Sequence, residues 1–178
     1  MGDDRRGRGN VTARGSGPDP DGFRSVMGSF ATGISVMTTV VDGVPHGMTA
    51  SAVASVSLDP PLVLVCVERD AEMASRVGDA GVFALSFLGE DQALLSTTFA
   101  DPARPDGEAQ FTGVPTGTAV TGARIVQGGV GWVDCRVWSV TDGGDHLIVV
   151  GEVVALDTET DAPLLYYRSG YGRFDPVV

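Results

Sequence analysis

Residues 46–65 read HGMTASAVASVSLDPPLVLV. The first half crowds small and hydroxyl side chains together: Thr49, Ser51, Ser55 and Ser57 alternate with Ala50, Ala52, Val53, Ala54 and Val56. Asp59-Pro60-Pro61 then makes a rigid corner, because proline fixes φ and removes a donor. Leu62 to Val65 is a continuous apolar run, the pattern of a strand buried on both faces. Two readings stand for this stretch alone. It is an ordinary strand–loop–strand with a serine-rich surface, which local pattern favours, or a polar ledge that seats a flat polar ligand.

The surrounding chain sets the frame. With 178 residues, 25 of them glycine and 10 proline, and 43% hydrophobic residues, it suits one turn-rich, β-leaning domain with a real core. All 12 basic residues are arginine, so lysine Schiff-base chemistry and a lysine-dependent P-loop are excluded. From Asp21 onward 8 arginines face 20 acidic residues, a balance of −12. A body this acidic repels a nucleic-acid backbone, and an anionic ligand needs a local arginine or backbone N–H groups. Cys66 and Cys135 stand far apart in apolar runs, which reads as buried reduced thiols and a cytoplasmic protein. No apolar stretch long enough for a membrane span occurs.

Taken in order, residues 1–18 are Gly/Arg-rich and read as a disordered tail, with the domain occupying 19–178. Asp19-Pro20-Asp21 starts a helix whose Phe23, Val26, Met27 and Phe30 share one face and which Gly33 ends. Ile34–Val41 is β-branched, and Asp42-Gly43 is a hairpin turn signal. A short helix is expected over 71–77, stopped by Gly78, then a strand over 82–88. A helix over 90–100 turns Leu94, Leu95 and Phe99 inward. Residues 101–122 form a long loop, and strands over 132–140 and 146–156 pair across Asp142–Asp145. The tail, 164–174, gathers all three tyrosines. The count is six strands with a few flanking short helices, which fits a mainly β, antiparallel barrel. Dinucleotide-fold, zinc and hydrolase motifs are absent. What remains is Gly144-Asp145-His146 at a hairpin entrance, where a histidine sits at a rim.

Several segments together resemble the flavin reductase family with the FMN-binding split barrel. They are FRSVMGSFATGISVMTT (23–39), the Asp-Gly hairpin, HGMTASAVASVSLDPPLVLVCV (46–67), GVFALSFLGEDQ (81–92), CRV (135–137), GDHLIVVGEV (144–153) and PLLYYRSGY (163–171). They keep the family's order over about 150 residues. The resemblance implies a six-stranded, Greek-key-like split barrel, a homodimer, and a reductase component of a two-component flavin-dependent monooxygenase. It implies that FAD or FMN lies on the ledge and is reduced by NADH, with NADPH the lesser candidate, before passing to a separate oxygenase. The alternative is the same barrel holding flavin for storage or sensing, without turnover. No nucleic acid, membrane or metal enters either reading.

Site roles follow from the same resemblance. Thr49, Ser51, Ser55 and Ser57 would bind the ring edge, ribityl and phosphate oxygens, with Met48 and Val56 beside them. Ala50 would let the ring approach the backbone, and Ser35 and Thr38 would add contacts from the preceding strand. His146 would position the nicotinamide. Tyr167, Arg168 and Tyr171 would close over the cofactors, and Phe111 would pack on one. Relatives meet the flavin phosphate with a Ser/Thr- and Lys/Arg-containing loop. Here that loop, 68–75, carries Glu68, Asp70 and Glu72, which leaves Arg69, Ser75 and Arg76 as candidates.

Overall fold

The structure, a computed structural model, describes residues 17–159 and 162–177, so most of the expected tail lies outside it. Helix α1 spans Pro20–Met27; the Asp19 carboxylate caps it by accepting from the Gly22 N–H at 3.0 Å. It ends well before Gly33, which belongs to the short strand β1 (Thr32–Gly33). Its apolar side chains Phe23, Val26 and Met27 are exposed, as is Phe30 beyond its end.

Strands β2 (Ser35–Val41) and β3 (Val44–Ala50) form the expected hairpin, with Asp42 and Gly43 both at positive φ. β4 (Val53–Leu58) and β5 (Pro61–Glu68) form the next, turning at Asp59-Pro60. Helix α2 covers Glu72–Ala80 and ends three residues later than expected, because Gly81 rather than Gly78 adopts the left-handed cap. β6 (Val82–Phe87) follows, then α3 (Ala93–Ala100), in which Phe99 turns inward but Leu94 points to solvent. The segment expected to be loop contains a 3₁₀ turn, Gly107–Phe111, and β7 (Thr116–Thr118), which pairs with β8 (Arg124–Val126). β9 (Gly131–Gly143), β10 (His146–Thr158), β11 (Leu164–Tyr167) and β12 (Gly170–Arg173) complete the chain.

The main sheet has seven antiparallel strands in the order β3-β2-β6-β9-β10-β5-β4, not six. The difference lies in the opening stretch. Residues 46–58 are not one return strand but two, broken at Ser51-Ala52, and they occupy opposite edges of the sheet. Two residues therefore join the outermost strands. Such a link is far too short to cross a flat seven-stranded sheet at about 4.8 Å per strand, so the sheet curls until its edges meet. The Cys66 N–H donates to the Ala52 carbonyl at 2.9 Å, which extends the β4–β5 pairing into the break.

Both faces of β2 are buried. Met37 joins Val65, Val67, Phe83, Leu85 and Val149, with Met73 and Val77 of α2 laid against them. Val36 joins Ile34, Leu88, Phe99, Phe111 and Leu164 on the other side. Cys135 is fully buried, which pushes its thiol up to about 12, whereas Cys66 is only half-buried. A small second sheet, β1-β11-β12, holds the C-terminal hairpin against the start of β2. No helix is long and apolar enough to cross a membrane among the described residues.

Candidate functional site

An edge strand offers half of its backbone groups to something other than the sheet. On β3 the alternation is fixed at two points. Ala50 faces β2, since its carbonyl accepts from the Ser35 hydroxyl at 2.9 Å. Gly47 faces away: its N–H donates to Gln110 Oε1 at 2.8 Å and its carbonyl accepts from Arg104 Nε at 3.0 Å. By the period of two, Thr49 turns its backbone groups the same way as Gly47, and β3 ends one residue later at Ala50.

The end of β3 and the residue after it line two cavities. The larger, about 460 Å³, is lined by Met48 and Thr49 of β3, by Glu68, Asp70 and Glu72, and by Phe99, Arg104 and Asp106. The smaller, about 310 Å³, is lined by Ser35, Ala50 and Ser51 with the apolar walls of Phe30, Ile34 and Phe87. Four consecutive residues, 48–51, thus pass from a polar cavity to a more apolar one. They span about 10 Å of extended chain, the scale of a fused three-ring heterocycle.

Ser96, which the sequence reading missed, ties this ledge to the C-terminal hairpin. Its carbonyl accepts from the Thr49 hydroxyl at 2.6 Å, and its own hydroxyl accepts from the Tyr171 phenol at 3.0 Å. Tyr171 also packs on Tyr166, with ring centroids 5.7 Å apart. The tyrosine segment is therefore coupled to the ledge through α3.

Other expected site residues lie elsewhere. Thr38 is fully buried and donates to the Arg124 carbonyl. Ser55, Val56 and Ser57 stand on β4, at the far edge of the sheet and outside both cavity linings. Phe111 is buried against Phe99, with centroids 5.3 Å apart, and stiffens the wall from behind. Tyr167 carries the Arg168 guanidinium over its ring, 5.3 Å from the centroid. His146 opens β10 opposite Glu68, at the rim of the larger cavity, with Nδ1 2.8 Å from Asp145 Oδ1.

The residue that the sequence most undervalued is His46. It is 1% exposed. Arg104 Nη2 lies 3.3 Å from its Nε2 and Gln110 Nε2 lies 3.1 Å from its Nδ1. Gln110 Oε1 is engaged by Gly47, so its amide presents the donor side to His46. A neutral imidazole has one acceptor nitrogen, which one of these two donors occupies. Nδ1 also approaches Glu72 and Asp106, within 4.8 Å. With its lone pair engaged and Arg104 adjacent, this group makes a poor cation site.

Burial pushes the His46 pKa below its ordinary 6.5; Glu72 opposes this and Arg104 reinforces it. The unfolded chain therefore takes up the proton first. This contribution to stability is present above pH 6.5 and is lost as pH falls from there towards the folded-state value. Urea unfolding between pH 7.5 and 5.5 is expected to show falling stability, with a shallower slope in His46→Gln. An equal slope in the variant would assign the pH dependence to other groups.

The fold is mainly β, with two cavities set along one edge of its main sheet. The chain belongs to the flavin reductase family: residues 27–175 match the flavin reductase like domain. It is 40% identical over 162 residues to the flavin-dependent monooxygenase reductase subunit HsaB of Mycobacterium tuberculosis, covering 89% of this chain and 84% of that protein. Streptomyces globisporus NADH:FAD oxidoreductase SgcE6, solved in complex with NAD and FAD fragments, superposes with a TM-score of 0.83 at 36% identity, over 89% of this chain and 94% of that one. BorF, the flavin reductase component of a bacterial two-component tryptophan halogenase, gives a TM-score of 0.83 at 36% identity, over 89% of this chain and all of that one.

Proposed function

We propose that this chain is an NADH-dependent flavin reductase that passes reduced FAD or FMN to a separate monooxygenase. The observation that carries the reading is the run 48–51, which lines both cavities from the end of the edge strand into the break after it. The donor set fits a flavin. The outward N–H and carbonyl of Thr49 suit the polar pyrimidine edge, and the Phe30–Ile34–Phe87 wall suits its benzenoid side. When bound, flavin supplies the hydride acceptor at its ring nitrogen.

The chain's own task is to hold and orient. Ala50 and Ser51 keep the ledge low enough for a ring to lie against it. Tyr171, anchored on Ser96, positions the C-terminal hairpin beside β1. His146, at the rim and oriented by Asp145, is placed to meet a nicotinamide that approaches from solvent. We read the curled sheet as a split barrel and residues 19–178 as one domain.

Apolar side chains on neighbouring strands, Val56 and Leu58 of β4, Trp138 and Val140 of β9 and Leu156 of β10, stay exposed, as does the whole apolar face of α1. Such surface supports a homodimer. The two unpaired thiols support a cytoplasmic setting.

Steady-state NADH oxidation with added FAD, FMN or no flavin tests the reading. Oxidation that requires flavin is expected. A protein that purifies yellow yet fails to react with NADH would be a storage or sensing barrel instead.

A further inference from the structure

A phosphate-bearing ligand in the larger cavity meets four carboxylates, on Glu68, Asp70, Glu72 and Asp106. The groups expected to offset them are engaged elsewhere. Arg69 turns back to the β9–β10 hairpin, where it pairs with Asp142 at 2.8 Å and donates to the Gly144 carbonyl at 3.1 Å. Arg76 pairs with Glu72, one turn away on α2. Ser75 donates to the Glu72 carbonyl at 3.0 Å.

The cavity lining holds one arginine, Arg104. Its Nε donates to the Gly47 carbonyl at 3.0 Å, its Nη1 to the Asp101 carbonyl at 2.9 Å, and its Nη2 lies 3.3 Å from His46 Nε2. None of these partners is a carboxylate, and among the described residues Arg104 forms no ion pair. Its guanidinium is thus held in place by neutral groups, and the carboxylates of the cavity act on it only through space. A guanidinium has five N–H donors, so two remain, one on each terminal nitrogen. That fork can meet two oxygens of one phosphate.

We infer that Arg104, and not the 69–76 segment, anchors the phosphate of the flavin in the larger cavity. This rests on the flavin reductase reading. It also gives the anchor a particular character: one guanidinium among four carboxylates makes a weak, salt-sensitive contact. Such a contact suits a flavin that binds, is reduced and leaves.

The test compares kcat/KM for FMN, FAD and riboflavin in the full chain and in Arg104→Gln and Arg104→Lys, all with NADH. Riboflavin carries no phosphate. The ratio of kcat/KM for FMN to that for riboflavin is expected to fall about tenfold in Arg104→Gln, through KM, and to recover in part in Arg104→Lys. The FAD ratio should follow. An unchanged ratio overturns the inference, because Arg104 would then serve only to hold Gly47 and the 101–111 segment. A wild-type chain that oxidises NADH with none of the three flavins overturns the reductase reading instead. Equilibrium dialysis of FMN and riboflavin against the same variants then decides the anchor, on the same ratio.

Discussion

Replacing Phe99 by alanine is expected to cost about 3–5 kcal/mol of folding stability, the range for deleting a buried aromatic ring. Phe99 is 1% exposed and its ring lies against Phe111 on one side and β3 on the other. The contact with β3 is close. A Cβ built on Gly47 would fall 2.6 Å from the Phe99 ring, so Gly47 is glycine because the ring occupies its side-chain space. The ring thereby sets the distance between α3 and the ledge, and it forms part of the wall of the larger cavity. Urea unfolding followed by circular dichroism measures the loss, and flavin reduction should fall with it. The pair also predicts coupling. Gly47→Ala alone should destabilise by about 1–3 kcal/mol through overpacking, and much less in a Phe99→Ala background. Additive effects would show that the ring does not fill the space in front of Gly47.

Gly129→Ala should be nearly as damaging, about 3 kcal/mol, for a different reason. A Cβ at this position would lie 2.1 Å from the backbone oxygen of Phe87. No side-chain rotation relieves a clash with backbone. That oxygen already accepts from the Val130 N–H at 2.9 Å, where β6 and β9 come together. The substitution must therefore push the end of β6 away from the start of β9. Phe87 walls the smaller cavity, so the displacement reaches the ligand seat as well. A variant that matches wild type in urea midpoint and in flavin KM would refute this account.

The contrast between these two glycines and the ledge shows what a sequence can express. The Asp42-Gly43 turn and the alternation in the last long hairpin are local patterns, and each became the element it suggested; the 62–65 run became β5, but Leu62, Val63 and Leu64 are half-buried rather than enclosed on both faces. The seventh strand was hidden because Ser51-Ala52 is no turn signal. The break there follows from curling of the whole sheet, which local propensity does not encode. Leu94 was placed inward by helical spacing, yet α3 docks on β3 through Phe99 and Ser96 instead.

The ledge itself was legible as composition, and the family resemblance supplied its purpose. The second wall of the site was not legible. His46, Arg104 and Gln110 are separated by up to 64 residues and meet only because the 101–111 segment folds back over β3. Nothing near Arg104 in the chain distinguishes it from a surface arginine. Likewise Arg76 looked available from sequence, but its helical neighbour Glu72 sits one turn away and claims it.

The junction at Ser51-Ala52 has a mechanical consequence. Among the described residues no ladder joins β3 to β4; the two outer strands are kept together by covalent continuity at one end. A tube sealed in this way behaves like a clasp hinged at a single point. It can widen along its free length without breaking any rung between paired strands, at a cost set by side-chain contacts alone. The ligand ledge runs along one lip of that opening. Hydrogen exchange should accordingly be fast at the outward-facing amide of Thr49, slower at Gly47, whose N–H donates to Gln110, and slowest in β10, which is paired on both sides.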